Sequence, residues 1–152
     1  MKGQRLSGKN ITVTIGDMKV RFLKASLEIS DNSAVASDGG IPNGWVDGDV
    51  SANGEIEVNL ANFKLIKEAA KSAGSFRGLE PFDITFYGKT ADKEEEKIEA
   101  FGCKIKLGSI LDADSKGGEA LSRKLIFDVT SPDFVNIGGV PYLREDETEG
   151  ML

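Results

Sequence analysis

Ile11, Val13 and Ile15 alternate with Thr12 and Thr14. That is the two-residue period of a strand with one buried face, and Gly16-Asp17 supplies the turn that predicts a hairpin behind it. The next run, Met18 to Ser30, places Val20 and Phe22 on one face and Leu23, Ala25, Leu27 and Ile29 on the other. Side chains alternate strictly across a strand, so a phase slip between Phe22 and Leu23 demands a bulge or a change of sheet. From Asp31 to Asp49 the pattern dissolves into Ser, Asn, Asp and Gly around Ile41-Pro42-Asn43-Gly44-Trp45. A long loop is expected there, and loops of that length are uncommon unless functional or disordered.

Alternation resumes at Glu55-Ile56-Glu57-Val58, after which Phe63, Ile66, Ala70 and Ala73 recur at helical spacing within Asn59 to Ala73. Asn59 or Asn62 is placed to cap the start of this helix and Gly74 its end. Phe82, Ile84 and Phe86, then Ile98 to Leu107, then Leu121 to Val129 read as strands, the last with Leu125, Phe127 and Val129 on one face. The charged stretch Thr90 to Lys97 reads as a solvated hairpin tip between two of them. The expectation is a mainly β chain, a β-sandwich or barrel of six to seven antiparallel strands with one short α-helix.

A chain of 152 residues with 39% hydrophobic and 29% charged residues has the composition of one globular domain able to bury a substantial core. Histidine is absent and Cys103 is the one cysteine, which removes the commonest general base and metal ligand and any intrachain disulfide. Met1 to Asn10 carry no apolar run behind Lys2, Arg5 and Lys9, and no stretch approaches about 18 apolar residues, so neither a secretory signal nor membrane insertion is expected. Cys103 then reads as a small core residue in a reducing cytoplasm.

Calcium-loop imitations at Asp49, Ser51, Asn53 and Gly54 and at Asp112, Asp114 and Gly117 fail at the closing position, where Leu60 and Arg123 stand instead of Glu. No Gly-Lys-Ser/Thr phosphate loop and no Gly-x-Ser-x-Gly is present. No catalytic, metal or cofactor residue is assigned, and an enzyme is not expected.

Charge is uneven along the chain. Residues 1–30 hold six Lys or Arg against two acids, residues 31–62 hold six acids and no base, and the last residues contain the run Glu145, Asp146, Glu147, Glu149. A basic end and an acidic loop on one small domain are complementary when copies stack head to tail. The candidate inter-subunit residues are therefore Ile41, Pro42, Trp45, Asp47 and Asp49 on the loop side and Lys2, Arg5 and Lys9 on the basic side. Trp45, a large ring in a polar loop, either packs beneath that loop or inserts into a neighbour.

The order of these elements, with Gly40-Ile41-Pro42-Asn43-Gly44-Trp45-Val46-Asp47-Gly48 ahead of the strand Gly54 to Val58, a helix at Asn62 to Ala73 and a β-rich second half, resembles tail tube proteins of contractile-tailed bacteriophages. More narrowly, it is similar to a small family of prophage tail proteins of about this length. The resemblance covers nearly the whole chain on a loose motif, Gly-x-Pro-x-Gly-aromatic followed by Asp-Gly. It implies a β domain over residues 1–144 with a long loop at 31–49, an acidic tail at 145–152, hexameric rings, and stacking of rings into a tube that conducts genomic DNA. The implied partners are further copies, tail sheath, baseplate and tape-measure proteins, with DNA only in passage. The implied place is the virion tail, after assembly in the host cytoplasm. A type VI secretion-like tube, a tail terminator and a baseplate ring remain open on the same fold, and a monomeric ligand-binding β-module is the alternative from another class.

Overall fold

The computed structural model describes residues 11–89, 95–108 and 122–150. Strand β1 (Ile11–Ile15) turns through Gly16, at φ 60°, into β2 (Met18–Val20), and the two pair antiparallel with Val13 opposite Val20. Strands β3 (Lys24–Asp31), β4 (Ala34–Asp38), β5 (Ile41–Val46) and β6 (Val50–Asn59) follow, then α1 (Leu60–Ala73), β7 (Phe82–Lys89), β8 (Glu95–Leu107) and β9 (Ser122–Val129). The described chain closes with β10 (Val135–Ile137), β11 (Val140–Pro141) and a single helical turn, α2 (Glu145–Thr148). The mainly β, antiparallel architecture is as expected. Among the described residues there are eleven strands and two helices, more than the sequence pattern separates, because several strands are only two to six residues long.

The main sheet runs β2-β1-β7-β8-β9-β6-β3, with β10 also pairing to β8. β2 and β3 thus lie at opposite ends of the strand order, yet only residues 21–23 join them. Seven strands laid flat would span roughly 29 Å, whereas the chain from Val20 to Lys24 reaches at most about 14 Å. The sheet therefore curls back on itself into an open barrel. The crossing is fixed by the Leu23 amide donating to the Glu57 carbonyl (2.7 Å) and the Arg21 amide donating to Asn62 Oδ1 (3.1 Å). This crossover accounts for the phase slip at Phe22 and Leu23: the chain leaves one edge of the sheet and joins the other.

Val13, Ile15, Ile56, Val58, Ile84, Leu125 and Phe127 fill the interior, and α1 contributes Phe63, Ile66 and Ala70 while Ala73 is exposed. Asn59 caps α1 by accepting from the Asn62 amide (2.9 Å), and Gly74 ends it in the left-handed conformation. In β8 the inward positions jump from Ala100 to Cys103 across an irregularity at Gly102 (φ 62°), whose amide donates to Asp83 Oδ1 (3.0 Å). Cys103 is fully buried and its thiol is pushed up to about 12, first by burial and then by the nearby Asp83 charge.

Two local expectations change. Glu95 to Lys97 belong to β8 rather than to a turn, with Glu95 opposite Lys89, while residues 90–94 lie outside the described residues. The acidic C-terminal run is not wholly a tail, since Glu145–Thr148 form α2 and Arg144 pairs with Glu147 (2.9 Å) at its start. The calcium-like stretch from Asp49 runs through β6, paired along its length to β3 and β9, and that of Asp112, Asp114 and Gly117 falls outside the described residues.

Candidate assembly interface

The segment from Asp31 to Asp49 is a β-hairpin, not the irregular loop its composition suggests. β4 and β5 pair only with each other, as a separate two-stranded sheet projecting from the barrel. The turn is Gly39-Gly40, both at positive φ (61° and 80°), as expected of the two-residue turn whose twist matches the strands it joins. A register shift between Val35 and Ser37 takes up Asn43-Gly44, with Gly44 at φ 81°, and places Pro42 beside the irregularity where a missing N–H costs least. Glycines and serines concealed a hairpin that has no barrel face to bury and hence no alternation.

Every residue of β5 is exposed. Ile41 is 69% exposed, Val35 65% and Trp45 61%, and Val46 is also open. Val35 stands opposite Trp45 in the ladder and Ile41 opposite Asp38. The candidates Ile41, Pro42 and Trp45 therefore share one strand, and Val35 and Val46 join them as apolar positions that sequence reading missed. The signal for Val35 was its cross-strand pairing with Trp45, which is readable only after the Gly-Gly turn is recognised.

The root of the hairpin is tightly built. The Asn32 amide donates to the Asp49 carbonyl (3.0 Å), and Gly48 lies so close to Asn32 that a Cβ would fall 2.2 Å from its carbonyl oxygen. Asp31 accepts from the Ser33 hydroxyl (2.6 Å), the Ser33 amide (2.9 Å) and the Tyr142 hydroxyl (2.6 Å). These bonds, those from Ser33 foremost, hold its carboxyl down to about 2, and accepting from Tyr142 raises the pKa of that phenol in turn. Asp47 is bound by the Arg144 guanidinium, which also lies 5.7 Å from the Trp45 ring centroid. Asp47 raises the Arg144 pKa further above its ordinary value. Two candidates thus have neighbours within this chain: Trp45 carries Arg144 on its ring and Asp47 has its carboxylate engaged. The side chain of Asp49 is exposed, and Lys2, Arg5 and Lys9 lie outside the described residues.

The surroundings of the hairpin root form a shallow cleft lined by Asp31, Trp45, Asp47, Tyr142, Arg144 and Glu147. Among the described residues no cluster of His, Cys, Asp or Glu is arranged to hold a metal, and no helix is long and apolar enough to cross a membrane. What the arrangement offers is an arm with exposed apolar residues on both faces, Val35 and Trp45 on one and Ile41 and Val46 on the other.

The fold of this chain is shared with components of contractile injection systems. The chain aligns with the tube-terminating cap of the anti-feeding prophage (TM-score 0.66, 18% identity, 90% of this chain and 93% of that one). It also aligns with a chain of the PVC sheath-tube complex in its extended state (TM-score 0.64, 16% identity, 90% and 93%). By sequence it belongs to the bacteriophage family described as Bacteriophage HP1, Orf24, whose model matches residues 9–143. A protein of Haemophilus phage HP1 (strain HP1c1), provisionally named a tail tube protein, is 43% identical over 149 residues, 98% of this chain and 99% of its own length.

Proposed function

We propose that this chain is the tube subunit of a phage tail, forming hexameric rings that stack into a conduit for DNA. The observation that carries the reading is the β4–β5 arm, which exposes apolar residues on both of its faces, Val35 and Trp45 on one and Ile41 and Val46 on the other. Apolar side chains grouped on a projecting arm call for a partner surface. The open barrel supports ring formation, because β2 and β3 each have one unpaired edge among the described residues and an unpaired edge is completed most readily by a neighbouring strand. Sheath and baseplate proteins are the expected partners of such a tube, together with a tape-measure protein inside it, in the virion tail and, during assembly, in the host cytoplasm. No cofactor and no catalytic step enter this reading.

The wall facing the DNA is assigned to the outward side of β3, β6, β9 and β8, opposite the face on which α1 packs. Its residues are mostly polar, with Ser26 beside Glu55, Glu28 beside Asn53, and Asn53 beside Asp128, and the apolar Ile126 stands between Glu55 and Lys106. Two of its lysines are partnered, Lys106 to Asp128 (2.5 Å) and Lys124 to Glu55 (3.7 Å), while Lys24 at the start of β3 is exposed. Such a wall offers little free positive charge to a passing phosphate backbone.

Size-exclusion chromatography with light scattering, followed by negative-stain imaging, tests the reading: rings or tubes are expected at high protein concentration. A monomer under all conditions, with or without an initiating ring, would reject it in favour of a monomeric β-module. The specific runner-up is a tube-terminating cap, favoured by the alignment with such a cap at a TM-score of 0.66. Single rings that never stack would select it.

A further inference from the structure

Tyr142 and Arg144, two residues apart on one segment, hold the two legs of the hairpin separately. Tyr142 binds Asp31 on the leg that enters β4, and Arg144 binds Asp47 on the leg that leaves β5 while covering Trp45. The segment is itself anchored to the barrel. The Tyr142 amide donates to the Val135 carbonyl (2.9 Å), the Tyr142 ring lies 5.8 Å from that of buried Phe134, and β10, which begins at Val135, pairs with β8. Phe134 holds its place at φ 58°, a left-handed conformation that a bulky residue adopts only under strong constraint.

We propose that residues 142–144 form a two-point clasp that sets the pose of the β4–β5 arm for assembly, with Tyr142 and Arg144 as positioning residues. The proposal rests on the reading of that arm as the stacking element. The arm pairs with no other strand, so beyond its backbone root its direction depends on side-chain ties. Grasping one leg would leave a hinge about the other; grasping both removes the swing. A preorganised arm docks without first losing that motion, so the clasp lowers the concentration at which stacking begins. Arginine suits the second point because its planar fork meets a carboxylate edge-on and a ring face-on at once, which lysine cannot do.

The test uses the full chain. Amide hydrogen exchange of unassembled protein is measured alongside the onset concentration of assembly by light scattering, for Arg144→Ala, Arg144→Lys, Tyr142→Phe and the arm variant Ile41→Asp. Trp45 is the chain's one tryptophan, so its emission reports the Arg144 contact directly. Expected for Arg144→Ala are a shifted Trp45 emission, exchange about tenfold faster over residues 34–46 with β6 to β9 unchanged, and a several-fold higher onset. Tyr142→Phe should move exchange and onset in the same direction, and Arg144→Lys should fall between Arg144→Ala and the unmodified chain. Unchanged exchange over residues 34–46 in Arg144→Ala overturns the clasp. Faster exchange with an unchanged onset, where Ile41→Asp does block assembly, overturns its role in assembly. Normal assembly of Ile41→Asp rejects the stacking reading and the proposal with it, which separates that failure from failure of the clasp alone.

Discussion

The ring of Phe127 lies across Gly54 on the neighbouring strand, where an added Cβ would fall 2.5 Å from the ring and 2.1 Å from the Ser26 carbonyl oxygen. Glycine within a strand marks a close approach of this kind, and here it lets three strands, β3, β6 and β9, pass at the centre of the barrel wall. Gly54→Ala should cost at least the roughly 1–3 kcal/mol of an overpacked core, with no contribution from backbone strain since Gly54 is not at positive φ. Urea unfolding followed by circular dichroism measures it. A change below about 0.5 kcal/mol, the range of ordinary surface substitutions, would mean the wall relaxes where the packing says it cannot.

The Asp31–Tyr142 tie has a defined pH range. Asp31 has its carboxyl pKa lowered from 3.8 to about 2, so the stabilisation it lends to the hairpin root is present above the ordinary value and is lost as pH falls through about 2. Tyr142 is raised above 10.0, so its share is present below that value and disappears as pH rises through the raised one. A carboxyl-carbon NMR titration should place Asp31 near 2. In Tyr142→Phe the midpoint should rise but stay below 3.8, because the Ser33 hydroxyl and amide remain. An unmoved midpoint would remove Tyr142 from the hairpin root.

The core was legible in the sequence wherever one face of an element is buried. The strand at Ile11 to Ile15, the helix with Asn59 and Gly74 at its ends, and the run through Leu125 and Phe127 all follow from period and capping. The phase slip at Phe22 and Leu23 even located the crossover between sheet edges. The β4–β5 hairpin was hidden because an arm with both faces in solvent has no hydrophobic period, and only Gly39-Gly40 betrays it. Of the candidate interface, Ile41 and Trp45 could be picked out as apolar residues in polar surroundings. Val35 could not, since its place is set by a partner on the other strand. Tyr142 and Arg144 were invisible for a stronger reason: their contacts to Asp31 and Asp47 span 111 and 97 residues.

Weak binding of duplex DNA is expected at moderate salt, despite the proposed conducting role. The chain carries 25 acids against 19 bases, and on the proposed lumen face Lys106 and Lys124 already meet carboxylates. Filter binding across a salt series checks this. Tight association that falls steeply with salt would signal many freed counterions and reject the non-adhesive wall while leaving the fold untouched.

Trp45→Ala separates the two roles that remain for this side chain. If the ring serves the neighbouring ring of subunits, its loss should leave circular dichroism and the melting temperature of the monomer nearly unchanged, because Trp45 is 61% exposed and outside the buried core. Stacked tubes should disappear, since burying Ile41, Pro42 and Trp45 across an interface would contribute roughly 2–4 kcal/mol. Arg144 keeps its hold on Asp47 in this variant, so the arm stays posed and a loss of stacking reports the contact itself. Charge reversal at Lys2, Arg5 and Lys9 examines the other side: with Asp47 held by Arg144, Asp38 and Asp49 are the acids left to meet a basic surface. Stacking should then weaken most at low salt, where the screening length is longest. If Trp45→Ala unfolds the monomer while the charge-reversed chain still forms tubes, the arm is local packing and head-to-tail docking through it is wrong.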